Sequence, residues 1–445
     1  MKKRLIGTVL CAAVAVGALS GCGSKETAND NEKKTIRITY SAGELDGESK
    51  DLNVIFADFY KDHPNCEVVL EEGGSALMAK IAANDAPDII RTNSILDLPT
   101  YVNKNIIMPL DDMLKKSDLY DEKDIFPVCI DCFKYDGKDF GKGKIYGLPK
   151  DWGPSSMWVN KSMLDAKGLR IPTYDAPITF DELADYAKKL TVKEGNKVKV
   201  FGYSNIEAPN VTVETMLNLV GKSMYSDDFS KINLKDEDVR KAFKYVYDMK
   251  VNGYTQSPLY PMGGNGNSEF PQGLCAINNF GLYSGSTYVK NPDRSVDYDD
   301  MILCPTPVME EGQGAKYTAG PVGATISANT KDPELAFACW EFIHLGIPAQ
   351  KRANAGFNLP IKKSLAENAD IKNEFQKRNF DTTVKYAESG EYTFVRSNPY
   401  VAANAVESIM EKYFTPLLYG QYTFDEAMKL MENEIQLLID EGMAH

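Results

Sequence analysis

The spacing of two cysteines is the first feature of the sequence that could support chemistry. Cys129 and Cys132 stand in a C-x-x-C arrangement, which serves thiol redox chemistry or supplies half of a zinc site. The sequence has no second pair with this spacing, and its three histidines, His63, His344 and His445, are not placed to complete a metal site. It therefore favours separate thiols, and it predicts no metal and no cofactor.

The motifs that carry catalysis in several common enzyme classes are absent from the sequence. It has no Gly-x-Ser-x-Gly elbow of a serine hydrolase, no Gly-x-x-x-x-Gly-Lys-Ser/Thr phosphate loop and no His-Glu-x-x-His zinc helix. A glycosidase requires only two suitably spaced carboxylates. Because the chain has 63 acidic residues, a surface glycoside hydrolase stays open as the main enzymatic alternative.

The N-terminus has the pattern of a signal peptide. Basic residues at positions 2–4 precede an apolar stretch over 5–19, which is shorter than the roughly 20 residues that a membrane-spanning helix needs. The stretch ends in Leu19-Ser20-Gly21-Cys22, which resembles the lipobox of bacterial lipoproteins, where the cysteine is lipidated and becomes the mature N-terminus. We expect residues 1–21 to be a signal peptide and Cys22 to carry the lipid.

The next segment, 22–35, is rich in Gly, Ser, Asn, Asp, Glu, Lys and Thr. It has too few large apolar side chains to bury a core, so it is predicted to be a flexible tether. The expected location is the extracytoplasmic face of the cell membrane, held there by the lipid.

Length and charge limit the kind of protein this is. A chain of 445 residues exceeds one ordinary hydrophobic core, so we expect two lobes. The formal net charge is −13, which argues against a nucleic-acid partner.

Periodicity predicts alternating strands and helices at the start of the folded part. A strand over 35–40, a helix over 52–59 and a strand over 67–70 are followed by a helix over 76–83 and a strand over 88–91, which is βαβ order. The alternation predicts an α/β fold with a largely parallel sheet. Thr179 and Glu182 form a capping box at the start of a helix. Further helices are predicted near 211–221, 236–251, 332–345, 364–378, 400–414 and 423–442, and further strands near 157–160, 200–204, 274–278, 301–304 and 322–327.

Several stretches, in order, resemble the extracellular solute-binding proteins of ABC importers, specifically the carbohydrate-type family that includes maltose-binding protein. The stretches that carry the resemblance are 79–90 (AKIAANDAPDII), 108–111 (MPLD), 146–149 (YGLP), 158–161 (WVNK), 179–183 (TFDEL), 273–278 (GLCAIN), 305–307 (PTP), 326–329 (ISAN), 336–343 (AFACWEFI) and 358–360 (NLP). Each motif is short, but their number and order over most of residues 36–445 identify the chain as a member.

The resemblance implies a two-lobed, periplasmic-binding-protein-like fold whose hinge strands join the lobes. By this resemblance the chain crosses between lobes near 147–151, 298–305 and 356–361. Lobe one would comprise 36–148 plus 305–357, and lobe two 149–300 plus 358–445. Such a receptor closes on a small solute between its lobes and presents it to the permease subunits. We expect a monomer without enzymatic activity.

The candidate ligand-binding residues lie in loops that follow predicted strands, where polar groups can bind sugar hydroxyls and aromatic rings can stack on sugar rings. By position and by the resemblance they are Ser41, Glu44, Arg91, Asn93, Asp151, Trp152, Glu207, Asn210, Phe280, Tyr283 and Arg396. Family members commonly have a tryptophan near 280–283, and this sequence has none there. A sugar or oligosaccharide is the favoured ligand. A polyamine, an amino-acid-derived solute or an organophosphate remains the alternative if like charges dominate the cleft.

Overall fold

The structure is a computed structural model that describes residues 33–47, 49–205, 207–389 and 391–444. The predicted signal peptide, the lipid-carrying Cys22 and most of the predicted tether lie outside the described residues. No helix within the described part of the chain is both long enough and apolar enough to cross a membrane.

The described residues contain fourteen strands. In chain order they are β1 (Lys34–Ile38), β2 (Cys66–Leu70), β3 (Ile89–Asn93), β4 (Lys134–Tyr135), β5 (Lys144–Ile145), β6 (Gly147–Pro149), β7 (Ser156–Asn160), β8 (Val192–Glu194), β9 (Lys197–Val200), β10 (Ile277–Asn278), β11 (Met301–Pro305), β12 (Lys316–Ala319), β13 (Val322–Ile326) and β14 (Glu391–Phe394).

Helices surround these strands. In chain order they are α1 (Ala42–Asp46), α2 (Leu52–Ile55), α3 (Phe59–Asp62), α4 (Ser75–Ala82), α5 (Leu98–Asn103), α6 (Asp111–Leu114), α7 (Pro127–Asp131), α8 (Lys161–Asp165), α9 (Phe180–Leu190), α10 (Pro209–Asn218), α11 (Glu237–Val251), α12 (Gly266–Glu269), α13 (Ser284–Lys290), α14 (Pro333–Leu345), α15 (Ile347–Ala355), α16 (Lys363–Glu367), α17 (Glu374–Ser389), α18 (Ala403–Leu418) and α19 (Phe424–Met443).

The first lobe is organised around a five-stranded sheet with the order β2-β1-β3-β13-β6. Strands β1, β2 and β3 are parallel, whereas β13 runs antiparallel to both β3 and β6. In β1 the side chains of Ile36 and Ile38 are buried and that of Thr35 is exposed, the alternation that places one face of a strand on a core. Helix α14 covers the sheet, and its Trp340 donates a hydrogen bond of 2.8 Å from Nε1 to the carbonyl oxygen of Ala324 in β13.

The second lobe contains a three-stranded antiparallel sheet with the order β10-β7-β11. Helix α9 packs on it through Leu183, Tyr186 and Ala187, which are buried together with residues of β7. The predicted capping box is confirmed, since the backbone N–H of Glu182 donates to Oγ1 of Thr179 and the backbone N–H of Thr179 donates to Oε2 of Glu182. A separate helical core joins α10, α11, α18 and α19.

Three predictions of secondary structure need correction. The largely parallel sheet is limited to β1, β2 and β3, because β13 and the whole second sheet are antiparallel. The helix predicted over 364–378 is two helices, α16 and α17, since the backbone N–H of Asp370 bonds to Oδ1 of Asn354 and Asn373 caps the next helix through a bond from Gln376. The segment 52–59 also divides, into α2 and α3.

Two chain segments connect the lobes side by side. Trp152 and Leu359 form an antiparallel bridge in which each backbone N–H donates to the other residue's carbonyl oxygen, at 2.9 and 2.8 Å. The third connection, expected near 298–305, stays a prediction; in this range β11 pairs along its whole length with β7 in the second sheet. The paired segments lie at the floor of the space between the two sheets.

Candidate functional site

A cleft of about 570 Å³ lies between the two sheets. Its walls come from the ends of β1 and β3, the connecting segments near 150–156 and 358, the start of α10 and the loop after β10. Because the carboxyl ends of strands in a sheet leave polar groups at one edge, such edges form ligand sites in α/β proteins. We call this space the interlobe cleft.

On the first lobe, Glu44 and Arg91 face the interlobe cleft as an ion pair. Nε of Arg91 donates to Oε1 of Glu44 at 3.0 Å, and Ser41 donates to the other carboxylate oxygen from its backbone N–H and its hydroxyl. Burial alone would raise the pKa of Glu44, but Arg91 and Ser41 outweigh it, so the pKa lies below its ordinary value. Ser41 thus holds Glu44 and does not itself line the cleft.

At the floor, Asp151 is enclosed by cations. Its Oδ2 lies 2.6 Å from Nζ of Lys150 and 4.0 Å from Nε of the buried Arg352, and its Oδ1 accepts a hydrogen bond of 3.1 Å from Nδ2 of Asn358. Burial would raise the pKa of the Asp151 carboxyl, but Lys150 and Arg352 hold it below its ordinary value. Arg352 also donates to the carbonyl oxygens of Leu45 and Lys150, so it ties the floor to the first lobe.

On the second lobe, Asn205 organises the polar wall. Its Oδ1 accepts from the backbone N–H of Glu207 at 3.0 Å and from Nδ2 of Asn279 at 3.3 Å, and its own Nδ2 donates to Oγ1 of Thr212 at 3.1 Å. The Thr212 hydroxyl is 3.5 Å from Oε2 of Glu207. Glu207 is open to solvent within the cleft, but the surrounding protein raises the pKa of its carboxyl above the ordinary value.

Tyr283 supplies an accessible aromatic ring. It is 46% exposed, whereas the other aromatic residues of the cleft, Trp152, Phe180 and Tyr203, are buried. Surrounding protein and the Glu207 carboxylate raise the pKa of Tyr283 to about 12, so its hydroxyl is a neutral donor at physiological pH. Phe280 packs edge-on against Tyr283 at a centroid distance of 6.1 Å and is buried beneath it.

Trp152 has an inward position at the floor. It is 2% exposed, its Nε1 donates to the carbonyl oxygen of Pro360 at 3.2 Å, and its ring packs on Phe126 at 5.1 Å. It borders the interlobe cleft but its ring faces are covered by protein. In this structure Trp152 therefore shapes the floor and does not offer a stacking surface.

The remaining sequence-predicted residues lie apart from the interlobe cleft. Asn93 ends β3, where its Oδ1 accepts from the backbone N–H of Leu96. Asn210 and Arg396 line a separate cavity of about 20 Å³, and Arg396 covers the ring of Phe229 at 4.4 Å. The structure thus brings Glu44, Arg91, Asp151, Trp152, Glu207 and Tyr283 to one cleft, and it places Ser41 and Phe280 directly behind two of them.

Sequence reasoning missed several polar groups of the interlobe cleft. They are Lys150, Asn205, Thr212, Asn279 and Asn358. Lys150 directly follows the motif at 146–149, and Asn358 is the first residue of the motif at 358–360. Asn205 and Asn279 directly follow predicted strands, so the placement of candidates after strands could have included them. Thr212 lies inside a helix and carries no comparable signal.

The six cysteines of the described residues are buried and form no disulfide with one another. The Cys132 thiol donates a hydrogen bond of 3.3 Å to the carbonyl oxygen of Cys129. Burial raises the pKa of both thiols of the C-x-x-C pair, which lowers their reactivity. Among described residues no group of three or more His, Cys, Asp or Glu is placed to hold a metal ion.

Two sheets with a polar cleft between them and paired connecting segments at its floor define a two-lobed binding protein. Residues 42–344 match the bacterial extracellular solute-binding protein family. The chain belongs to this family.

Individual relatives agree with that assignment. The chain is 23% identical to the galactooligosaccharide-binding protein of Bacillus subtilis over 390 residues, which cover 83% of each chain. Its fold is similar to that of an ABC substrate-binding protein from Listeria monocytogenes in complex with cycloalternan, with a TM-score of 0.72, 20% identity and coverage of 93% of this chain and 100% of that one. A solute-binding protein from Agrobacterium radiobacter in complex with ribitol also has a TM-score of 0.72, at 19% identity, covering 92% of this chain and 99% of the other. The predicted two-lobed α/β fold is confirmed.

Proposed function

We propose that this protein captures a sugar or oligosaccharide in the interlobe cleft and delivers it to the permease subunits of an ABC transporter. The observation that carries the proposal is the composition of the cleft: amide and hydroxyl groups around Asn205, one exposed aromatic ring at Tyr283, and charges that are largely paired. Hydroxyl-rich rings are recognised by this combination of directional polar groups and an apolar ring face.

Charge pairing favours a neutral solute over the alternatives. Arg91 is paired with Glu44, and Lys150 with Asp151. Arg396, which would help to bind an organophosphate, lies outside the cleft. Within the described residues, Glu207 is the one cleft carboxylate without an ion pair. A single unpaired negative charge is too little to favour a polyamine. The carboxylate oxygens of Glu207 can accept hydrogen bonds from sugar hydroxyls.

The relatives support the same ligand class. Proteins similar to this chain have names or complexes that include galactooligosaccharide, arabinooligosaccharide, cycloalternan and ribitol. All of these are carbohydrates or sugar alcohols. They differ in size and linkage, so they support the class without selecting a member.

A thermal-shift screen tests the ligand class. The panel would contain galacto-, arabino- and manno-oligosaccharides and sugar alcohols, with spermidine, amino acids and glycerol phosphate as the competing classes. A ligand at a hundredfold excess over Kd stabilises the fold by about 2.7 kcal/mol, which is a readily measured increase in Tm. Stabilisation by a competing class, with none by any carbohydrate, would overturn the carbohydrate assignment.

The glycoside hydrolase alternative is tested separately. Chromogenic glycosides and the oligosaccharides that stabilise the protein would be incubated with it, and products would be followed by chromatography. We expect no product. Turnover that disappears in Glu44→Gln or Glu207→Gln would make the protein an enzyme.

The proposal includes the cellular setting. We propose that residues 1–21 are removed, that lipid on Cys22 holds the chain on the extracytoplasmic face, and that the receptor acts as a monomer. The lobe division at 36–148 plus 305–357 and 149–300 plus 358–445 is part of the same proposal. Metabolic labelling with a palmitate analogue should mark the wild type and leave Cys22→Ser unlabelled; equal labelling of both would refute the anchor.

A further inference from the structure

A second cavity adjoins the interlobe cleft. It has a volume of about 520 Å³, close to that of the cleft itself. Leu219, just past the end of α10, lines both spaces. We call this second cavity the outer compartment.

Two further chain segments pass from one space to the other. Thr306 and Pro307 line the interlobe cleft, and the next residue, Val308, lines the outer compartment. Thr318 lines the cleft, and Lys316 in the same strand, β12, lines the outer compartment. With Leu219 these segments place the outer compartment directly beside the interlobe cleft.

The outer compartment has the chemistry of a sugar site. Tyr174 lines it and is partly exposed, and Tyr386 stacks on Tyr174 at a centroid distance of 3.7 Å. Tyr386 is 2% exposed, so it backs the Tyr174 ring and fixes its orientation. An aromatic ring held in this way can support the apolar face of a sugar.

Polar groups line the same compartment as this aromatic pair. Lys316 and Glu391 line the outer compartment and form an ion pair of 3.9 Å. The distance is long for a charged hydrogen bond, and the Glu391 side chain is 83% exposed. Both groups therefore keep hydrogen-bonding capacity for hydroxyls of a ligand.

We propose that the outer compartment binds the further units of an oligosaccharide whose first units occupy the interlobe cleft. This inference rests on the proposed function. A site of roughly 300–1,000 Å³ accommodates a small organic ligand, so the cleft alone suffices for a short sugar. Because Leu219 borders both spaces, a longer sugar chain that leaves the cleft beside this residue would enter the outer compartment. The protein thus selects oligosaccharides over monosaccharides and disaccharides.

The variant Gly314→Trp is designed to place a large ring in the outer compartment. Gly314 lines it, a side chain added there meets no atom within 4 Å of its Cβ, and its backbone does not have a left-handed φ. Gly73→Trp is the matched control, because Gly73 has the same open surroundings and lines neither space. Calorimetric titration would compare galactobiose, galactotriose and galactotetraose, together with the corresponding arabino- and manno-series, in the full chain.

The wild type and Gly73→Trp should bind the longest member of the recognised series at least about tenfold more tightly than its disaccharide, a difference of about 1.4 kcal/mol. Gly314→Trp should bind the disaccharide as the wild type does and lose the gain with length. Two results would refute the binding of sugar by the outer compartment and leave the proposed function intact. One is equal affinity of the wild type for all lengths; the other is an increase of affinity with length that persists in Gly314→Trp.

A second variant keeps the inference testable if Gly314→Trp fails to fold. Tyr174→Leu retains apolar volume but removes the ring, and it should weaken binding of the tetrasaccharide about fivefold or more while leaving the disaccharide unchanged. Equal weakening for both lengths would refute the site. Binding of no sugar in any series by the wild type would instead contradict the proposed function, and with it the inference.

Discussion

The side-chain amide of Asn358 donates a hydrogen bond of 3.1 Å to Oδ1 of Asp151, and this bond joins the two chain segments that connect the lobes. The same segments pair through the backbone of Trp152 and Leu359. Asp151 and Asn358 both line the interlobe cleft. A solute that contacts them therefore contacts the segments about which the lobes would move, which links binding to the relative position of the lobes.

Removal of the Asp151 carboxylate should destabilise the protein. Arg352 is 4% exposed, so Asp151→Ala leaves a buried cation without its nearest carboxylate. Breaking a buried ion pair in this way costs about 3 kcal/mol or more. Urea denaturation should show a decrease of about that size in the free energy of unfolding.

Asp112→Ala is the control for this measurement. The Asp112 side chain is 88% exposed and pairs with Lys115 one turn later. Its loss should change the free energy of unfolding far less than Asp151→Ala does, because solvent screens an exposed pair. Equal effects of the two substitutions would show that the charges around Asp151 do not support the fold.

Tyr283→Ala should weaken solute binding while leaving the fold intact. The ring is half exposed in the cleft, so its removal takes away the stacking surface and little core packing. We expect affinity for the stabilising sugar to fall about tenfold, measured by calorimetric titration. Tyr419→Ala, which removes a ring of similar exposure outside the cleft, should bind as the wild type does. A Tyr283→Ala protein with unchanged affinity would place the ligand elsewhere.

The buried carboxyl of Glu214 should make the stability of the folded protein depend on pH. Burial raises the pKa of its carboxyl from 4.5 to about 7, although the backbone N–H of Met224, Ser223 and the charge of Arg396 lower it. The folded protein therefore holds a proton that the unfolded chain releases. The bound proton contributes about 3 kcal/mol to the free energy of unfolding. This contribution is complete below about pH 4.5 and is lost as the pH rises to about 7.

Denaturation of the wild type and Glu214→Gln at several pH values isolates this contribution. Relative to the variant, the wild type should lose stability between about pH 4.5 and pH 7 and show a constant difference above that range. Glu72→Gln, at an exposed position, should follow the wild type throughout. Parallel curves for the wild type and Glu214→Gln would contradict the prediction.

The buried thiols should be unreactive in the folded protein. Burial raises the pKa of Cys129 and Cys132, so both remain protonated at neutral pH. Iodoacetamide labelling followed by peptide mass mapping should leave these two cysteines unmodified until guanidinium unfolds the chain. Rapid labelling of either one under native conditions would revive a redox role for the pair.

Local sequence signals predicted much of the fold. The capping box at Thr179 begins α9 at the expected residue, and the predicted helix over 423–442 differs from α19 by one residue at each end. These elements have their determinants within a few neighbouring residues. The direction of β13 and the break between α16 and α17 depend on distant partners such as Asn354, so periodicity could not indicate them.

The candidate site was predicted only in part, because some of its residues are also positioned by packing against distant parts of the chain. Positions near strand ends led to Glu44 and Arg91, and the loop at the first predicted crossing led to Asp151; all three line the cleft. In α10 the helical period decides which side chains reach it: Thr212 lines the interlobe cleft, whereas Asn210 and Glu214, one turn apart, line the separate small cavity. The rotation of that helix is fixed by its packing against α11 and α18, which is not encoded in the loop before it.

The most direct test of the account is a crystal structure of the protein with the carbohydrate that stabilises it most. We predict density for the sugar in the interlobe cleft, with a ring against Tyr283 and hydroxyls bonded to Asn205 or Glu207. A sugar bound outside the space between the two sheets, or a non-carbohydrate solute in the cleft of protein exposed to cell extract, would contradict the central claim.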